Sequence, residues 1–533
     1  MKKGKEKGNG KEKGNGNIKK GNHFTLTQKN IHSFSHKFNT KRTNKVFKNV
    51  NTNTKFKYLV TKADYNQNKK MRFKNIIEIA TKPTNQGSSG RCWIFAFLNI
   101  MRIPMIKKYN LPADFEFSQN YLFFYDKLEK ANYFFNYIYD TKNIKVDDFK
   151  NYKIANLKVV AVLNNLISDG GNWNMFYQLI KKYGIIPKSN MDDHLHSKNS
   201  KELHIFLNEF LSKSAKTIRT TTKSKNKVIA ELMDDCYKIL VIFLGEPPKK
   251  ITWEYYESEK TKNKSEKANT KNKTKKAKGK SAKTNTKNKT KNNNKSAKDD
   301  ETDDDEIDDE IDDDEQKYKA VYDITPQEFY EKFVPYNVDD KVALINYPCK
   351  TIPFYKNYIL ENNSQILDHN EKRTRNYYDK EKFLNFPIAT IKNMVKKSID
   401  DGEAVWCGVD IRKFISTEKG FLDVKGFNYN DVFGFDNLMP KCSALNYKQS
   451  SARHAVIIKG YNYGKGKTHG FLVENSWGEK DGFKGNYYMA DNWFENFVYR
   501  VIVDKKYLST KELDTLKHKP VLLPFWAPFN DLA

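Results

Sequence analysis

Cysteine is scarce in this chain: five residues among 533, Cys92, Cys236, Cys349, Cys407 and Cys442. They are widely spaced, odd in number and contain no CxxC pair. Such a set predicts neither a disulfide framework nor a zinc site, and it points to a reducing compartment. Long apolar runs are missing too. The strongest, YKILVIFLGEPP, ends in turn residues and falls short of the roughly 18 residues a spanning helix needs. The opening MKKGKEKGNG carries basic residues with no apolar segment behind them, so no secretory signal is expected. The reading is a soluble, cytoplasmic protein without a membrane partner. Acidic residues are the minority sign, 65 against 95 Lys and Arg, for a formal net charge of +30. An excess of that size invites a nucleic-acid partner. Much of the lysine, however, sits in low-complexity stretches, and a general Lys/Asn bias inflates the charge without a functional cause.

Residues 1–22 contain a duplicated KEKGNG and almost nothing apolar, and read as a disordered tail. Residues 257–316 form a second such segment, basic first (TKNKTKNNNKSAK) and then acidic (DDETDDDEIDDEIDDDE). Neither half can build a core, so the segment reads as a disordered surface insertion. Between them, residues 23–256 are an N-terminal arm and a mainly helical lobe. RCWIFAFLNIMRIPMI is apolar on nearly every helical face, as a buried helix is, and NWNMFYQLIKKYG is amphipathic and closes on Gly184 with Pro187 beyond. In residues 317–533 helices such as FPIATIKNMVKKSIDDG alternate with short apolar runs, AVWCGVDI, HAVIIKGYN, HGFLVENSW and NYYMADNW. The last three are separated by Gly-rich turns and read as antiparallel strands. The fold class is therefore α+β, with a cleft between the halves as the natural place for a site.

Chemistry concentrates in Gln86-Gly-Ser-Ser-Gly-Arg-Cys92-Trp93, where a Gly/Ser turn runs straight into the buried helix. That places Cys92 at a helix N-terminus, whose free N–H groups and dipole favour a thiolate. With a histidine beside it, the thiol is expected to ionise below its ordinary value of about 8.5. Gln86, across the turn, can aim its amide at the sulfur and, with the Cys92 backbone N–H, cradle an oxyanion. A lone Cys-Trp at a helix start is more often plain core packing; the surrounding string is what carries the assignment.

QGSSGRCW resembles the active-site motif of papain-family cysteine peptidases, and its SSGRCW form resembles the bleomycin hydrolase (aminopeptidase C) branch. The resemblance extends to FSQNYLFFYDKLEKANYFF, SDGGNWNMFYQLIKKYGIIPKS, ITPQEFYEKFVPYNVDDKVALINYP, DDGEAVWCGVDI and the end of the chain. It implies a papain-like two-lobed fold, a helical lobe plus a β-barrel-like lobe with helical insertions. It also implies that His454, opening the HAVIIKGYN strand, is the general base, that Asn475 in VENSWGE orients it, and that Trp477 shields their bond. His469 belongs to a turn, and His194, His196 and His204 lie in a polar stretch without partners, where a surface pair outweighs a metal site. SDGGNW reads as a turn and receives no catalytic role. The implied activity is a thiol aminopeptidase of broad specificity acting on peptides, in a homo-hexamer, without metal or cofactor. PVLLPFWAPFNDLA would lie in the cleft and set the Ala533 carboxylate against the substrate's α-amino group. The rival readings are a nucleic-acid-binding protein on a peptidase scaffold and, with the terminal arm displaced, an endopeptidase.

Overall fold

The computed structural model describes residues 24–65, 71–79, 81–147, 153–257, 317–360, 382–524 and 527–528. The expected tail at 1–22, nearly all of the 257–316 insertion and the terminal Ala533 lie outside the described residues. The chain divides into two units, Met1–Ala63 with Phe427–Asn437, and Asp64–Gly426 with Leu438–Ala533.

In the smaller unit the helices Gln28–Thr40, Arg42–Asn53 and Phe56–Val60 meet a returning segment that holds the short helix Tyr429–Phe433. Thr27 opens the first helix with a reciprocal cap: its hydroxyl accepts from the Asn30 N–H while the Asn30 side chain accepts from the Thr27 N–H. The Phe56 ring lies 5.8 Å from Phe433 and 6.3 Å from Tyr429, and the Asn428 N–H donates to the Val60 carbonyl at 2.8 Å.

The larger unit holds the site. Its central helix, Cys92–Tyr109, buries 15 of its 18 residues, matching an apolar pattern that leaves no polar face. Each large apolar side chain so buried contributes about 1.5–3 kcal/mol. The polar members are paired: Asn99 donates to the Thr84 hydroxyl at 2.9 Å, and Arg102 to the Lys82 carbonyl at 2.8 Å and the Glu474 carboxylate at 3.1 Å. The helix Trp173–Tyr183 stops where the sequence says, at Gly184 with φ of 69°. A Cβ there would stand 2.2 Å from the Pro326 carbonyl oxygen, so only glycine fits. Phe97 stacks on Phe176 at 4.4 Å and on Trp406 at 4.6 Å, joining this helical layer to the sheet.

That sheet is mixed, with the order Val521–Leu523, Lys356–Leu360, Phe383–Asn385, Lys341–Ile345, Val498–Asp504, Val405–Val409, His454–Gly464, Lys467–Glu474, Asn486–Ala490, Phe421–Leu422, Ile415–Ser416. Asn75–Ile76 also pairs with the His454 strand. The expected antiparallel run is present: His454–Gly464 pairs Lys467–Glu474, which pairs Asn486–Ala490. Helices and a mixed sheet together give the expected α+β class. Strands Ile251–Glu257 and Lys317–Ile324 form a separate antiparallel hairpin whose ends, Glu257 and Lys317, are register partners.

One expectation fails. Cys349 and Cys442 form a disulfide, 5.2 Å between Cα atoms and 93 residues apart in sequence. Sequence spacing carries no information about a contact made through the returning chain. The other three cysteines, Cys92, Cys236 and Cys407, are free and buried. Among the described residues no helix is long and apolar enough to cross a membrane.

Candidate active site

Cys92 is the first residue of its helix, and Arg91 ahead of it offers no side-chain cap. No acidic residue occupies the first turn, so the N-terminal N–H groups of the helix present their partial positive charge undiluted. His454 opens the central strand and Asn475 follows the next one. Cys92, Gln86, His454 and Trp477 line one cleft of ≈ 620 Å³. The geometry thus gathers four residues from opposite ends of the sequence.

His454 Nε2 lies 2.8 Å from Asn475 Oδ1. The same oxygen accepts the Ser476 backbone N–H at 2.9 Å, a role the amide nitrogen could not fill, so the amide orientation is fixed. It follows that Nε2 carries the hydrogen and Nδ1 of the neutral ring is left basic. Trp477 packs its ring 4.9 Å from the imidazole.

Gln86 is held at both ends of its amide. Nε2 donates to the Ser89 carbonyl at 2.6 Å and Oε1 accepts the Ser476 hydroxyl at 2.6 Å. One hydrogen of the Nε2 group remains for another acceptor. Backbone pairing fastens the turn beside it: the Gln86 N–H donates to the Ser476 carbonyl at 2.8 Å and the Gly478 N–H to the Thr84 carbonyl at 2.9 Å. The loop carrying Gln86 and the loop carrying Asn475 are therefore one unit.

Electrostatics depart from the helix-start expectation. Burial pushes the Cys92 thiol up to about 12, against backbone hydrogen bonding at Ala455 and Trp93 that favours the thiolate. Burial also pushes the His454 imidazole down to about 4, against its bond to Asn475, and the nearby Arg412 charge lowers it further. Burial disfavours the charged form of either group taken alone. Desolvation, invisible in a linear motif, is what the helix-start argument omitted.

Several residues of the site escaped the sequence reading. Arg91 is fully buried, paired with Asp193 at 2.6 Å and bonded through Nε to the Ser89 hydroxyl at 3.0 Å. Burial works against the Asp193 carboxylate, but Arg91 outweighs it and holds its pKa below the usual range. Asp169, in the SDGGNW turn, lines the cleft and clamps the Cys92 loop. Its carboxylate accepts the Gly90 N–H at 3.0 Å and its backbone carbonyl accepts the Trp93 indole at 2.7 Å. Lys127 at 2.8 Å, the Ser200 hydroxyl at 2.5 Å and His204 complete its partners. Burial would raise the Asp169 pKa, yet Lys127 and His204 hold it well below the carboxylate range. His204 is therefore a member of a buried network, not a partnerless surface histidine. The close approach of Gly171 to Trp93, whose ring stands 2.3 Å from where a Cβ would be, ties the same turn to the helix. His196 faces Glu202 at 3.5 Å, and His469 bonds the Gly464 carbonyl at 3.0 Å within its turn. Neither enters the cleft lining.

Comparison with known proteins shows which family the chain belongs to. The family model described as the peptidase C1-like family matches residues 25–303 and 301–530. Aminopeptidase C of Listeria monocytogenes is 32% identical over 461 residues, covering 86% of this chain and 88% of its own length. Human bleomycin hydrolase is 31% identical over 474 residues, covering 86% of this chain and 88% of its own. The crystal structure of PepW from Lactobacillus rhamnosis superposes with a TM-score of 0.77 at 30% identity, covering 96% of this chain and 99% of that one.

Proposed function

We infer that this chain, which belongs to the peptidase C1-like family and resembles its aminopeptidase C and bleomycin hydrolase members throughout, is a thiol aminopeptidase. The observation that carries the reading is the His454–Asn475 pair, with its tautomer fixed, in the same cleft as a cysteine at a helix start. In the proposed reaction His454 Nδ1 takes the Cys92 proton as Sγ attacks the substrate carbonyl carbon. The oxyanion meets the remaining Gln86 N–H and the Cys92 backbone N–H. The C–N bond then breaks as His454 returns the proton to the departing amine, and water, activated by the same imidazole, hydrolyses the thioester. No step calls on a metal or cofactor.

Removal of residues one at a time requires something that reads the free α-amino group. The terminal arm implied by the family resemblance is the proposed device, with the Ala533 carboxylate opposite the substrate ammonium. Two lobes parted by the cleft, a homo-hexamer and a cytoplasmic setting belong to the same proposal. Light scattering that returned a monomer at micromolar concentration would remove the hexamer from it. The functional test compares kcat/KM for an aminoacyl coumarin amide and its N-acetyl form, in the parent and in a chain lacking residues 531–533. Hydrolysis of the free amine alone by the parent, with the acetylated substrate admitted by the truncation, is the expected result. Equal hydrolysis of both by the parent would reject the aminopeptidase reading, and hydrolysis of neither would reject the peptidase.

A further inference from the structure

The cleft lining has two origins. Gly90 and residues 165–170 lie with Cys92 in the N-terminal half of the sequence, whereas Asp410, Arg412, Arg453 and Trp477 lie beyond the strand ends around His454. Sheet register places the two arginines together. His454 pairs with Val409, and the Arg453 N–H donates to the Val409 carbonyl at 3.1 Å, extending that pairing by one residue. Arg412 follows Val409 by three positions, so the two strands deliver both arginines to the end where His454 sits.

Both side chains are exposed. Arg453 keeps Nε on the Ser451 hydroxyl at 2.8 Å. Arg412 stands 3.9 Å from the buried Asp410 carboxylate with its side chain 64% exposed, and the other Asp410 oxygen accepts the Ser450 hydroxyl at 2.8 Å. Arg412, Arg453 and Asp410 all line this end of the cleft. The other carboxylate of the lining, Asp169, is already matched by Lys127 and His204. An isolated exposed arginine is ordinarily just hydrated. Two of them beside the group that protonates the leaving amine are placed to meet what leaves. The departing portion of a substrate must pass over the imidazole to receive its proton, and Arg453 adjoins His454 directly in the chain. The Arg412 charge is felt there, since it contributes to holding the imidazole low.

We propose that Arg412 and Arg453 form a carboxylate-binding subsite for the leaving portion of the substrate. The enzyme then favours peptides whose released part carries a carboxylate near the cut bond, either an acidic side chain or the free C-terminus of a short peptide. Planar guanidinium forks suit that anion better than an ammonium does. The inference rests on the aminopeptidase reading and supplies the substrate class it leaves open.

The test uses the full chain and internal ratios of kcat/KM: a free-acid alanyl dipeptide against its C-terminal amide, and alanyl-glutamate amide against alanyl-glutamine amide, with an alanyl coumarin amide as neutral reference. In the parent at least one ratio is expected to favour the carboxylate by roughly tenfold, through KM, and to shrink as salt screens the attraction. The first pair reports the chain terminus and the second the acidic side chain. The Arg412→Gln/Arg453→Gln double variant brings the ratio toward one, and Arg412→Glu/Arg453→Glu inverts it. Ratios cancel any general loss of activity. Ratios of one in a parent that turns over the coumarin amide, or a preference unchanged in the double variant, would overturn the subsite and leave the peptidase standing. No turnover of any substrate would overturn both.

Discussion

The two walls of the cleft are built by different means. His454 and Asn475 sit at the ends of neighbouring strands in the middle of a wide sheet, so ladder register sets their approach. Behind Asn475, Glu474 is buried between Lys459 at 2.7 Å and Arg102 at 3.1 Å, which braces an arrangement the strands already define. Cys92 has no such ladder. Its loop is held by isolated backbone bridges, Asn85 to Trp477 and Ser88 to Asn199, and then by side chains: Asp169 on Gly90, Arg91 on Asp193, and Lys127 and Lys130 on the carbonyls of Ser168 at 2.6 and 2.9 Å. The proposed base is placed by strand register, while the proposed nucleophile relies on buried charge added to a few backbone bridges. The same kind of ion pair therefore serves stability on one wall and catalytic geometry on the other.

The largest effect is expected at the proposed nucleophile. Cys92→Ala should lower kcat/KM for an aminoacyl amide by at least about 10⁴-fold while leaving the thermal unfolding transition in place; retention of more than a trace of turnover would contradict the assignment. Gln86→Ala should cost roughly 10²- to 10³-fold in kcat, the usual loss for one oxyanion donor, and a change confined to KM would move Gln86 out of that role.

The contrast between the walls is sharpened by a matched pair, Asp169→Asn and Glu474→Gln. Breaking either buried pair should cost about 3 kcal/mol in urea unfolding. Activity of the folded fraction should fall about tenfold for the first and no more than about twofold for the second, because only the first releases the Cys92 loop. Equal activity losses would erase the distinction.

The pH dependence follows from burial. The folded His454 imidazole sits at about 4, below its ordinary value of about 6.5. The folded state then binds this proton less readily than the unfolded chain. Its contribution is at full strength above about pH 6.5 and is lost as pH falls from there through about 4, by an amount on the order of 3 kcal/mol. Unfolding free energies of the parent and His454→Gln at pH 7 and pH 4 should diverge in that sense, and parallel curves would contradict it. The smallest effect is expected where the hairpin ends meet. Because Glu257 and Lys317 are register partners, replacing residues 258–316 by a short turn should leave kcat/KM within about twofold. A collapse of activity would mean that the insertion serves the body.

What the sequence made legible was local or carried by motif. The Gly/Ser turn into an all-apolar helix announced Cys92, the Gly184 stop ended its helix on time, and the alternating runs around His454 and Asn475 read as strands. Long-range partners stayed hidden. Asp169 in SDGGNW looked like part of a turn, and its ties to Gly90, Lys127 and His204 span up to 79 residues. Arg453 stood in plain view beside His454, but its companion Arg412 becomes visible only through the pairing of two strands. The Cys349–Cys442 bond was missed for the same reason. The thiol's environment was misjudged because helix polarity can be read from a motif and desolvation cannot.

Three free cysteines are buried, and burial raises the pKa of each; only Cys92 combines a cleft, a helix start and an imidazole. Titration with an epoxide thiol reagent at neutral pH, followed by mass-spectrometric mapping, tests that singularity directly. One adduct per chain on Cys92, with peptidase activity falling in step, is the expected result; an adduct on Cys236 or Cys407, or full activity with Cys92 modified, would contradict it.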